Sequence, residues 1–164
     1  MATQNIAMEK QTYSITDIFK AALVAVGVSS VANVLLWLFA VGLGLVAGDF
    51  WVLQPLSIVL STLAFTLVGA VLLAVLTRLR PNPMRTWRIV AIAGLVLSFS
   101  NPFMLLTGSM PGFPVPTVTT VAIMLLMHII AGVSAIYFMT TLPRPRAYTG
   151  GPQQTRHTGI TRAH

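Results

Sequence analysis

Four long apolar blocks, at about residues 18–47, 55–77, 84–106 and 117–142, take up most of this 164-residue chain. A helix needs about 20 apolar residues to cross a bilayer, and every block is that long. Backbone polar groups cannot be left unpaired in hydrocarbon, which restricts spans of this length to helices. Composition agrees: 55% of the residues are hydrophobic and 8% are charged, against about 25% charged in a soluble domain. The expected fold is therefore an all-α membrane protein. Its four transmembrane helices form an antiparallel up-down bundle over 18–142, between a polar segment at 1–17 and a basic, disordered tail at 143–164.

The net charge is +7 and the sequence pI about 11.3. In a soluble protein that balance points to nucleic acid. Here the basic residues adjoin the apolar blocks, so the partner they imply is the lipid bilayer and no nucleic acid is expected. The absence of cysteine excludes disulfides, thiolate metal sites and cysteine nucleophiles. The first block is much longer than the ~7–15 residues of a signal-peptide core and reads as an uncleaved span.

The connections carry their own signals. Ser14-Ile-Thr-Asp17 resembles a capping box at the start of the first helix. Gly42 and Gly44 loosen that helix's outer end. Asp49, Phe50 and Trp51 suit an interfacial turn, and Pro55 suits a first helical turn. Asn82-Pro83 reads as a cap followed by a first-turn proline. Pro102 removes an N–H that would bond to Ser98, so the third span kinks or ends there. Pro143 closes the fourth.

With four spans, Lys10, Lys20, Arg78, Arg80, Arg85, Arg88, Arg144, Arg146, Arg156 and Arg162 all fall on one side, and Asp49 is alone on the other. Three or five spans would divide the basic residues. The positive-inside rule makes the basic side cytoplasmic, with both termini there.

The blocks also place polar residues at similar depth. At about 1.5 Å per residue from the basic ends, Asn33 and His128 lie roughly 20 Å deep, and Thr66 and Ser98 roughly 15 Å. Ser29 and Ser30 share a face with Asn33. Thr62, Thr66 and Gly69 share another, as do Ala91, Gly94, Ser98 and Asn101. If these faces point inward, Asn33, Thr66, Ser98 and His128 form an intramembrane polar cluster. Ionisable groups within membranes commonly mark pathways or sites. The plainer reading, which is favoured, has His128 donating a hydrogen bond to Asn33 or a serine and tying two helices together. No Asp or Glu lies within a span to complete a proton relay, and no catalytic residue, metal site or cofactor is expected. Arg78, Arg80, Arg85, Arg88, Arg144 and Arg146 are candidate contacts for lipid headgroups, with topology alone the simpler account.

Several of these features together resemble an uncharacterised bacterial family of small four-span membrane proteins, a domain of unknown function. They are Asn33 with Trp37, the Thr62–Gly69 stretch, the arginines leading into Arg88-Ile-Val-Ala, Ser98 with Asn101-Pro102, and Leu-Met-His128. The resemblance covers about Asp17 to Leu142. It implies a four-helix integral membrane domain in a bacterial cytoplasmic membrane, and gives no residue a role.

Three functions fit. The leading one is an accessory or structural membrane protein acting through helix contacts with a second copy or another membrane protein. The next is a small transporter or channel subunit with a midplane site around His128. The third is a haem-binding or enzymatic membrane subunit using the same histidine.

Overall fold

The computed structural model describes residues 12–146. The disorder expected of the tail, and most of the polar segment, falls on 147–164 and 1–11, outside the described residues. The helices are α1 (Ile15–Gly42), α2 (Pro55–Leu79), α3 (Pro83–Ser98), α4 (Ser100–Leu106) and α5 (Val118–Thr141). A 3-10 turn, Trp51–Leu53, precedes α2. With α3 and α4 counted as one span, four helices are long and apolar enough to cross a membrane.

Local chemistry sets the ends. Ser14 and Asn82 occupy the caps of α1 and α3, though neither side chain makes a capping hydrogen bond. Thr117 does cap α5, its side chain accepting from the Thr120 backbone N–H at 3.1 Å. The first helix stops at Gly42 and does not run to residue 47. Gly44, at φ +68°, turns the chain left-handed. The Leu45 N–H then bonds to Ala40 O at 2.8 Å and the Gly44 N–H to Val41 O at 2.9 Å. That pair of bonds is a Schellman stop, which satisfies carbonyls the helix end would leave open. Beyond the stop Val46 is buried, while Leu43, Leu45 and Ala47 are exposed.

The third span breaks where Pro102 predicts. Phe99 separates α3 from α4, and the fully buried Pro102 sits inside α4. Gly108, at φ +66°, ends α4 with a second Schellman pair, Ser109 N–H to Met104 O and Gly108 N–H to Leu105 O.

The helices pack in a ring. Each touches the next in sequence, α1 on α2, α2 on α3 and α3 on α5, and α5 closes back on α1. Neighbours joined by short connections run antiparallel. A two-residue strand pair ties the ends, Thr12 opposite Arg146 and Tyr13 opposite Pro145, so the start of α1 and the end of α5 lie at the same end of the molecule.

The inner face of α1 repeats every three to four residues: Ile18, Ala21, Ala22, Ala25, Val26, Ser29, Ser30 and Asn33 are all buried. Most are small. In lipid, where apolar burial gives no advantage over the solvent, close backbone approach is what drives helix contact. One core, at the basic end, joins Ile18, Ala22, Leu73 and Met139 to Trp87. A second, at the opposite end, joins Ala40, Leu53, Ile58, Leu105, Met124 and Met127. The third span is the least covered. Of its 18 most apolar consecutive residues only 11% are buried, against 28% for each of the first two spans.

Candidate functional site

The hydrogen bond between α1 and α5 comes from Asn33. Its Nδ2 donates to Met127 O at 3.3 Å. His128 does not make the interhelical bond expected of it. Its Nδ1 bonds to Met124 O, one turn back on its own helix, at 2.7 Å. A carbonyl can only accept, so the ring proton sits on Nδ1. Ser98 likewise turns back, donating to Leu95 O at 2.6 Å. Helical hydroxyls and imidazoles reach the carbonyl one turn behind them readily, so local geometry outcompetes a cross-helix partner here.

Asn33, Thr66, Ser98 and His128 nevertheless line one cavity of about 620 Å³. They make no hydrogen bonds to one another; what they share is the space. The cavity lies between α2, α3 and α5, and Asn33 is α1's single contribution to its wall. Asn33 Oδ1 is buried with no partner. The Thr62 and Thr66 hydroxyls and His128 Nε2 have no partner among the described residues either.

Two packing contacts hold the span that frames the opening. Trp87 of α3 lies against Gly69 of α2 so closely that an added Cβ would stand 2.9 Å from the indole ring. Leu95 of α3 covers Gly132 of α5, where a Cβ would meet a leucine methyl at 2.7 Å. Between these anchors Gly94 faces open space.

Aromatic residues stand at both ends of the cavity. Toward the basic end its lining runs into the buried pair Trp87 and Met139. Toward the opposite end it meets Trp51 and Phe113, whose tilted rings have centroids 5.1 Å apart. The exposed residues along the middle of its lining, Ser61, Phe65, Val68, Leu72, Gly94 and Asn101, all belong to the second and third spans. The cavity therefore opens sideways, toward lipid, between those spans.

The lining carries no charged side chain, and His128 is its one titratable group. It can supply hydrogen bonds and apolar contact. It offers no nucleophile beside a base. Among the described residues no three His, Asp or Glu side chains gather as a metal site.

The arginines lie at the basic end. Arg78, Arg80, Arg85, Arg88 and Arg144 are exposed there. The side chain of Arg146 lies outside the described residues. Lys20 lines a small groove of about 200 Å³ with Arg144 and Asp17. Sequence reading also missed Trp87 and Leu95 as the frame of the cavity, because only the partner glycine on another helix gives either of them a seat.

Four apolar helices around an uncharged, laterally open cavity define a polytopic α-helical integral membrane protein. Within that class, the chain belongs to the family described as Family of unknown function (DUF6069), whose model matches residues 14–144. Neither a curated protein nor a solved structure matches it.

Proposed function

We propose that this protein is an accessory membrane protein that acts from within the lipid layer, through lateral contacts of its helices, with the cavity between the second and third spans as its working face. The observation that carries this reading is the direction of the opening. The exposed lining along its middle faces lipid, while the Trp87–Met139 core and the Trp51–Phe113 pair stand at its ends. The connections are short, so little chain is available outside the bilayer for a soluble site among the described residues. The cavity's chemistry supports recognition over catalysis.

The protein sits, on this reading, in a bacterial cytoplasmic membrane with its basic end inside. Support comes from Lys20, Arg78, Arg80, Arg85, Arg88 and Arg144 at one end and Asp49 at the other. The arginines face anionic headgroups, where each contributes about 1 kcal/mol.

Transport is the second reading, favoured by one observation. The Trp51–Phe113 pair is partly exposed, at 48% and 40%, and stands where an outer gate would stand. A spin label at Gly94→Cys in lipid vesicles separates the two. A lateral cavity predicts strong relaxation by oxygen and weak relaxation by a water-soluble nickel chelate. An aqueous pathway predicts strong relaxation by the chelate, and that result overturns the lateral reading.

A further inference from the structure

Away from the exposed Trp51 and Asn101 at its rim, the cavity presents unpaired acceptors beside His128. His128 Nδ1 is committed to Met124 O, which leaves Nε2 as the nitrogen with a free lone pair. Ser98 has spent its proton on Leu95 O and can still accept. Asn33 Oδ1, in a side chain only 2% exposed, is unpartnered but lies within the α1 wall with no open surface of its own. The hydroxyls of Thr62 and Thr66 can do either, and each of those residues is 8% exposed. A group entering beside His128 meets the open lone pair of Nε2, and an unpaired acceptor in an apolar site carries a desolvation cost that a donor relieves.

We propose that the cavity binds an uncharged amphiphile with an apolar body and a hydroxyl headgroup. The hydroxyl donates to His128 Nε2 and accepts from a threonine hydroxyl on α2. The proposal rests on the lateral reading above and adds the ligand's class. A volume of about 620 Å³ falls within the ~300–1,000 Å³ of small-molecule sites. Met124, Met127 and Leu95 supply apolar wall, and unbranched methionine adapts to irregular chains. A charged headgroup would enter without a counter-ion, because no Lys, Arg, Asp or Glu lines the space. A plain alkane would leave Nε2 unpaired. The route is the gap between the second and third spans, so the ligand arrives already dissolved in lipid.

The test uses the full chain in lipid vesicles and a dodecanol carrying a photoreactive diazirine, with mass spectrometry to locate the label. The result expected is saturable labelling of lining residues of α2, α3 and α5, competed by unlabelled dodecanol. The dodecane and dodecanoate analogues label about three- to tenfold less, the size of one net hydrogen bond. His128→Leu reduces dodecanol labelling by the same factor and leaves the alkane unchanged. Gly94→Leu, whose side chain enters open space, blocks all labelling of the cavity. If His128→Leu fails to fold, the alcohol-over-alkane preference and Gly94→Leu still decide.

Label spread evenly over outward faces of all helices, or unaffected by Gly94→Leu, overturns the site. Equal labelling by the alkane, or stronger labelling by the carboxylate, overturns the ligand class. In those last cases oxygen-dominated relaxation at Gly94→Cys would leave the lateral reading standing alone.

Discussion

His128 and Asn33 exchange the roles that residue types alone suggest. The titratable side chain bonds within its own helix, and the amide ties two helices. Asn33→Leu is therefore expected to lower stability by about 0.6 kcal/mol, the average for an interhelical hydrogen bond in lipid. His128→Gln, which breaks no cross-helix bond, should cost less. Reversible unfolding in mixed detergent micelles gives both values, and the opposite ranking would restore the histidine as the tie. The glycines make a second pair. Gly69→Ala drives a Cβ into the rigid indole of Trp87, and overpacking of that kind costs about 1–3 kcal/mol. Gly132→Ala meets both methyls of Leu95, at 2.7 and 2.9 Å, and its Cγ at 3.1 Å, so the leucine must swing aside as a unit. An aliphatic chain does so more readily than an indole, and alanine's advantage of about 1 kcal/mol in a helix offsets that shift. The same unfolding measurement should show a clear loss for the first and little change for the second. These residue-scale contacts were only partly legible in the sequence. The polar faces could be read from spacing, because i, i+3 and i+4 positions share a side whatever the packing. The choice between a carbonyl one turn back and a partner on another helix is made by a rotamer, which spacing does not encode.

At the scale of elements, hydropathy located the spans and misplaced one end. Residues 43–47 are as apolar as a helix interior, yet the chain has already left α1 at Gly42. The stop depends on one left-handed residue, Gly44, and on two hydrogen bonds that hydropathy does not register. Gly42 and Gly44, two positions apart, should respond with opposite signs. Gly44→Ala forces an L side chain into the left-handed region and costs roughly 1–2 kcal/mol. Gly42→Ala lies in helix with no atom within 4 Å of the added carbon, and gains up to about 1 kcal/mol. Melting temperatures of the two variants in one detergent test the sign. The break at Phe99 was readable, because proline's missing N–H acts locally and needs no partner to take effect. The cavity was not. Its volume depends on how far the third span stands from the second and the fourth, and that spacing is set by Trp87 on Gly69 and Leu95 on Gly132.

At the scale of the whole molecule, four helices close a ring, the strand pair joins its first and last described segments, and the exposed arginines share that end. Packing and charge reach this arrangement separately. The ring follows from small inner faces on α1 and the glycine seats, and the charge from where the connections fall. The chain has no cysteine of its own, so single cysteines can be read without background. Asp49→Cys and Arg80→Cys lie on connections at opposite ends of α2. Treating intact bacterial cells with a membrane-impermeant thiol reagent, and then lysing them, tests the account most directly. Labelling of Asp49→Cys in intact cells, with Arg80→Cys reached only after lysis, is the predicted result. Labelling of both from outside, or of Arg80→Cys alone, would contradict it.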